Sequence, residues 1–446
     1  MAAYEKVDEL INQINNKSTL IKGRNKETNF TRNRKIQFKD LILFTLNKRG
    51  MSLKMEMNNF TESIGRMENV SKSALCQQRK KINPIVFKDL NEGYIRNSYD
   101  NEKDYNTYKG YVVTAIDGMK IEVPDVEELK KEFGEAKGRT DQRTSARALT
   151  SCIYDVVNNW VIDAKIDKYT TSERTLAKEH IYEMIRILSE KIDTRKIIII
   201  FDRGYPSLEM MQVLIKADIK FLFRTSAGRY KKEIGKIKGV DEEIKVEATK
   251  SRIKTIEDKE TREELEESGG IEVRFVKHVL DTGEKEILIT NLKKEEFTTE
   301  EIGELYFKRW KIELAYNIAK NRLDIQNFSG QSKIVIEQEF YAQMLMLNIA
   351  EDLRKEANKN IKTGIEQGRK YDYKVNMNTL VGMLRKKFII IVAKILTEKT
   401  EEAKEEYRKL IKEIESDIIP IRPGRKNKRE KYKGYNKYKK NFRRSS

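Results

Sequence analysis

The spacing of apolar positions divides the chain into a helical beginning, a strand-rich middle and a helical end. Phe38-Lys-Asp-Leu41-Ile-Leu43-Phe44 opens a helix that Gly50-Met-Ser breaks, and Asn69-Val-Ser71 supplies cap residues for a further one running toward Ile82. From Tyr111 the period changes. Val112-Val-Thr-Ala-Ile116 is β-branched and apolar, ends at Asp117-Gly118, and is followed by Lys120-Ile-Glu-Val123, which predicts a hairpin partner. Residues 148–154 and 160–166 continue the sheet around a turn at Asn158-Asn159, and Ser172 caps a helix directed at Glu190. Lys196-Ile-Ile-Ile-Ile-Phe201 reads as a fully buried central strand, stopping at Asp202-Arg203-Gly204. Between Thr225 and Phe297 alternating patches such as Glu272-Val-Arg-Phe-Val-Lys277 predict a β-rich insertion. Phe388-Ile-Ile-Ile-Val-Ala393 is too short to span a bilayer and is expected to be buried.

One later segment carries a chemical pattern on a helical period. Tyr306, Arg309, Glu313 and Lys320 stand at offsets 0, 3, 7 and 14. At 3.6 residues per turn they fall within about 60° of one another. Glu304, Lys308, Lys311 and Arg322 fall on the opposite side, where a solvated face puts its charges. A carboxylate among an arginine, a lysine and a phenol suits an anionic ligand or a metal ion. The plainer reading is an Arg309–Glu313 surface pair at i, i+4.

Composition narrows the chemistry. With 446 residues and 38 % hydrophobic content the chain is long enough for two or three domains. Two cysteines, Cys76 and Cys152, make neither a disulfide framework nor a zinc site, and two histidines, His180 and His278, disfavour histidine triads. Acid chemistry therefore falls to carboxylates. The start, Met1-Ala-Ala-Tyr-Glu-Lys, has no hydrophobic signal region, which predicts cytoplasmic residence and no membrane partner. A formal net charge of +19 argues for a polyanion, most simply nucleic acid, although charge does not separate DNA from RNA. Residues 421–446 hold 12 Lys/Arg against one Glu and interleave Tyr432, Tyr435, Tyr438 and Phe442, which predicts a disordered basic arm. Residues 1–100 are read as a helical DNA-binding domain, with Ser73, Gln77 and Arg79 as candidate contacts, against the alternative of a plain packing module.

Asp117 and Asp202 each close a strong strand, and Glu313 lies on the helix, so three carboxylates converge if the fold brings those ends together. Hard oxygen ligands suit two Mg²⁺ or Mn²⁺ ions in an in-line phosphoryl transfer. Asp117 is then expected to bridge both ions, with Asp202 and Glu313 completing one each. Arg309, Lys320 and Arg203 would hold phosphates, and Tyr306 would orient a phosphate or Glu313.

These residues resemble the bacterial DDE transposases of the group founded by insertion sequence four. Tyr306, Arg309, Glu313 and Lys320 fit that group's Tyr-x2-Arg-x3-Glu-x6-Lys signature at every spacing. Ala115-Ile-Asp117-Gly118 and Phe201-Asp202-Arg203-Gly204-Tyr205 are similar to its two aspartate motifs. The resemblance covers roughly residues 30–425. It implies an α/β fold, namely a ribonuclease-H-like mixed sheet with flanking helices. The expected core parts are 101–226 and 297–420, with a β-rich insertion at 227–296 and the tail at 421–446. It further implies a homodimeric cut-and-paste enzyme that acts, beside the bacterial nucleoid, on double-stranded DNA carrying terminal inverted repeats and joins it to target DNA. Some members pass through a hairpin and use a tryptophan for base flipping; Trp160 and Trp310 are the only tryptophans here, and neither sits in the insertion. The alternative is an inactive DNA-binding relic or regulator, against which the intact Asp117, Asp202 and Glu313 argue.

Overall fold

The computed structural model describes residues 3–137, 144–226, 228–280, 283–361, 368 and 370–422. Six helices open the chain: α1 (Ala3–Asn15), α2 (Lys17–Gly23), α3 (Phe38–Leu46), α4 (Leu53–Ile64), α5 (Lys72–Arg79) and α6 (Ile85–Ser98). The sheet region follows, with β1 (Val112–Glu122), α7 (Glu127–Phe133), β2 (Glu135–Lys137), β3 (Thr144–Asp155), β4 (Trp160–Lys168), α8 (Glu173–Leu188), β5 (Ile197–Phe201), α9 (Leu208–Lys216) and β6 (Lys220–Thr225). Next come α10 (Lys231–Lys236), β7 (Asp241–Glu247), α11 (Lys250–Ile253), α12 (Lys259–Ser268), β8 (Gly270–Val279) and β9 (Lys285–Thr290). The chain then runs through α13 (Thr299–Phe307), α14 (Trp310–Asn321), α15 (Lys333–Asn360), β10 (Tyr373–Val375), α16 (Met377–Leu396), α17 (Thr400–Ser416) and β11 (Ile418–Pro420).

One mixed sheet organises the molecule, in the order β3-β1-β5-β6-β9-β8-β7, with β4 and β2 also paired to β3. β5 runs parallel to both β1 and β6. Its unbroken apolar run is explained by burial on both faces: Ile198 and Ile200 enter one hydrophobic cluster, while Ile197, Ile199 and Phe201 enter the other.

The hairpin expected at Asp117-Gly118 does not form. β1 passes straight through these residues as a single strand, because nine consecutive pairs from Thr114↔Asp155 to Glu122↔Arg147 hold both halves against β3. An Asp-Gly pair favours a turn locally, and here the cross-strand ladder overrides that preference. β5 pairs only with the first half, its last partner being Ile116. Among the described residues the remaining half of β1 therefore has no strand on its β5 side.

The segment 231–290 carries β7, β8 and β9, and also α10, α11 and α12. It is not a separate sheet, since β9 pairs antiparallel with β6 and extends the central one. It also packs on the helix that follows: a Cβ on Gly303 of α13 would fall 2.2 Å from the ring of His278 in β8, so glycine leaves room for that ring where α13 meets β8.

The opening helices are pinned to the rest by buried polar contacts on α15. Asp352 accepts from Lys6 (2.9 Å), Tyr94 (2.6 Å) and Trp160 Nε1 (2.8 Å), and Asn348 Oδ1 accepts from the Val161 amide (2.7 Å). The buried apolar residues up to Tyr94 thus share one hydrophobic cluster with the sheet and α15, while Ile95 and Tyr99 enter the other. The 388–393 apolar run lies within α16, against which α17 packs. Among the described residues no helix is long and apolar enough to cross a membrane.

Candidate active site

The site lies where β5 stops and β1 continues. Ile116↔Phe201 is the last rung of the parallel pair, so Asp117 and Asp202 are the next residue on each chain. They stand side by side at the carboxyl end of β5, the position at which α/β sheets place their chemistry, Asp202 just past the strand end and Asp117 inside β1. α14 packs against β1 here.

Tyr316 anchors the helix. Its hydroxyl donates to the Asp117 carbonyl (2.5 Å) and accepts from the Cys152 amide (3.1 Å), tying α14 to the paired residues Asp117↔Cys152. Lys320 Nζ donates to the Lys120 carbonyl at 3.0 Å. Burial pushes the Cys152 thiol up to about 12, so it is a neutral part of the wall.

The helix expected over 306–320 is divided at Lys308-Arg309. The amides of Lys308, Arg309, Lys311 and Ile312 each bond the carbonyl three residues back, a 3₁₀ pattern that winds the chain more tightly between α13 and α14. The four stripe residues nevertheless meet the sheet edge. Tyr306 donates to Asp202 Oδ1 at 3.3 Å, rather than orienting Glu313. Arg309 Nη2 holds Glu313 Oε1 at 2.8 Å, and its Nη1 lies 3.9 Å from Asp117 Oδ2. One guanidinium therefore stands between the two carboxylates.

Asp117 is pushed from an ordinary 3.8 up to about 6. Burial is the main cause, reinforced by the charges of Asp202 and Glu173 and partly offset by the Gly118 amide and Arg309. Tyr205, buried directly after Asp202-Arg-Gly, is raised by burial and by the fields of Asp117, Glu173 and Asp202. Among the described residues the Tyr205 hydroxyl and Arg309 Nε are both buried without a hydrogen-bond partner.

Among the described residues no three His, Cys, Asp or Glu stand close enough to hold a metal ion together. The donors are nonetheless of the right kind. All are oxygens, and a divalent cation would favour the ionised form of Asp117, which burial chiefly, and the charges of Asp202 and Glu173 in addition, disfavour. Arg309 supplies the compensating charge to Glu313 in this arrangement.

The other expected contacts divide. Arg203 is exposed beside Asp202, and Ser73 and Gln77 are exposed on α5. Arg79 is not presented to a partner. It is 4 % exposed, donates to Gln338 (3.0 Å) and Ser329 (2.8 Å), and pairs with Glu339 at 2.8 Å. Its place on the inner face of α5, one turn from buried Leu75, is the reason. Trp160 is fully buried, whereas Trp310 (39 %) lies with Phe307 (74 %) and Leu314 (52 %) on an exposed apolar face next to Arg309. The basic arm lies, from Pro423 onward, outside the described residues.

Sequence reasoning missed Tyr316, Glu173, Arg174 and Arg229. The two arginines converge on the Gly204 carbonyl, at 2.8–3.0 Å and 3.4 Å, adding positive charge beside Arg203. Glu173 and Arg174 read only as the first turn of a helix. Nothing local marks Tyr316 or Arg229.

A match to known families agrees with this geometry. Residues 108–349 match the model of the transposase DDE domain, a span that contains both aspartates and the whole of α14. The chain belongs to this family, whose members are transposases that act in DNA transposition and recombination; as a class they cleave DNA and use divalent metal ions. Among solved structures it is similar to the cryo-EM structure of the piggyBac transposase synaptic complex with hairpin DNA. The likeness has a TM-score of 0.42 at 7 % identity, over 91 % of this chain and 82 % of that one. No curated protein matches the chain in sequence.

Proposed function

We propose that this transposase belongs to the insertion-sequence-four group, binds the terminal inverted repeats of its element, and excises and joins DNA by cut-and-paste. Asp117, Asp202 and Glu313 are its catalytic residues and hold two Mg²⁺ or Mn²⁺ ions. The observation that carries the reading is the meeting, at one sheet edge, of Asp117 and Asp202 on adjacent strands with Tyr306, Arg309 and Glu313 of the signature. The order β4-β3-β1-β5-β6, with only β3 antiparallel to its neighbours, supports assigning these strands to a ribonuclease-H-like core.

When bound, the cations activate the attacking oxygen and stabilise the leaving one. The chain supplies the rest. Tyr306 fixes the Asp202 carboxylate, and Tyr316 fixes the backbone that carries Asp117. Arg309 holds Glu313 in place until an ion or a phosphate competes for that contact. Lys320, Arg203, Arg174 and Arg229 flank the carboxylates with positive charge suited to the DNA backbone. Of the two tryptophans, Trp160 is buried and Trp310 is exposed, so a base-stacking role would fall to Trp310.

Domain assignments follow the same reading. Residues 1–100, with Ser73 and Gln77 outward, contact the repeats, and the basic arm contacts phosphates of flanking DNA. Two copies synapse the two ends. The test is Glu313→Gln. The variant is expected to bind repeat DNA with unchanged affinity and to lose cleavage by at least about a thousandfold. Cleavage at the wild-type rate refutes the assignment.

A further inference from the structure

The three assigned carboxylates are not the only acids at the sheet edge. Successive residues of a strand face opposite sides, so Asp117 points toward α14, while the missing side chain of Gly118 faces α8 on the other side. That space is filled by Glu173, the first residue of α8. A Cβ built on Gly118 would stand 2.9 Å from Glu173 Cδ and 3.0 Å from its Oε1. Among the described residues the Glu173 side chain makes no hydrogen bond or ion pair, although it is half-buried beside other acids.

An acid in the first turn of a helix is common, because it favours the positive end of the helix dipole. That role needs only solvent around the carboxylate. Here the carboxylate instead lies across a strand, over a glycine that makes room for it, next to the notch left where β5 ends. A second observation points to a ligand in that notch. The Tyr205 hydroxyl is buried, has no hydrogen-bond partner among the described residues, and lies in the combined field of Asp117, Glu173 and Asp202. A polar hydrogen among three acids with nothing to bond is satisfied by a ligand that carries oxygen, such as the water of a hydrated cation.

We propose that Glu173 is a fourth carboxylate of the divalent-cation site, reaching it from α8 across Gly118, with the Tyr205 hydroxyl as the partner of a cation-bound water. The inference rests on the reading of Asp117 and Asp202 as cation ligands. It gives Gly118 a specific role, namely to let a carboxylate from the far side of the sheet share the space in front of Asp117.

Mn²⁺ binding by the full chain, measured by calorimetry and by the thermal shift that Mn²⁺ produces, tests this without relying on activity. Three variants are compared with wild type: Asp117→Asn, Glu173→Gln and Gly118→Ala. Glu173→Gln is expected to weaken Mn²⁺ binding by about 10- to 100-fold while melting no lower than wild type in EDTA. Gly118→Ala, which displaces only the flexible end of Glu173, is expected to weaken it likewise, and it decides the matter should Glu173→Gln fold poorly. Mn²⁺ affinity within twofold of wild type in both, with Asp117→Asn deficient, overturns the role of Glu173 and leaves the triad standing. Absence of Mn²⁺ binding by wild type overturns the triad reading, and this inference with it.

Discussion

Removing the charge of Asp117 should stabilise the metal-free protein while it abolishes the chemistry. In the folded chain this carboxyl sits at about 6 against an ordinary 3.8, chiefly because it is buried. The folded state therefore binds a proton more tightly than the unfolded state, and stability falls as pH rises from about 4 through 6. A difference of roughly two pH units corresponds to about 3 kcal/mol at full effect. The side chain is 22 % exposed, so a discounted value of about 1–2 kcal/mol is the working expectation. Asparagine keeps the shape and cannot ionise. Asp117→Asn should match wild type below pH 4 and exceed it by that margin at pH 8, in EDTA, by urea unfolding followed by circular dichroism. Adding Mn²⁺ should stabilise wild type and leave the variant unchanged. A variant no more stable than wild type at pH 8, or equally more stable at pH 4, refutes the reasoning, because only the ionised carboxylate is strained.

Other substitutions separate structure from function. Arg79→Ala should lower stability by about 3 kcal/mol, since it strips one partner from a buried carboxylate: burial would raise Glu339, but Lys48 and Arg79 hold it down to about 2. A loss of DNA affinity at unchanged urea midpoint would restore Arg79 as a DNA contact. Tyr316→Phe should cost about 1–2 kcal/mol and slow cleavage about tenfold at constant DNA affinity, because α14 loses its anchor to Asp117 and Cys152; an unaltered cleavage rate counts against that anchor. Deleting 421–446 removes 12 Lys/Arg and should reduce the salt slope of non-specific DNA binding in a filter or anisotropy titration, whereas an identical slope assigns that binding to the folded part.

Strong local signals were legible without coordinates. The apolar run of β5 and its ending at Asp202 follow from composition alone, and the Tyr306-Arg309-Glu313-Lys320 spacing places the four side chains on one face. What was not legible depends on partners distant in the chain. Asp117-Gly118 reads as a turn until β3 is seen to pair through it. The stripe reads as one helix until the bonds at Lys308-Arg309 tighten it. Arg79 reads as a surface cation because Glu339, which buries it, lies 260 residues away. Glu173 reads as a helix-start acid, since its neighbour Gly118 belongs to a strand separated from it by three others in the chain.

The most direct test of the central claim is strand cleavage of a duplex carrying the inverted repeats that flank the coding sequence, with Mg²⁺ or Mn²⁺, comparing wild type with Asp202→Ala. The account predicts metal-dependent cutting at the repeat end by wild type and none by the variant. Binding without cutting by both, or equal cutting by both, contradicts it.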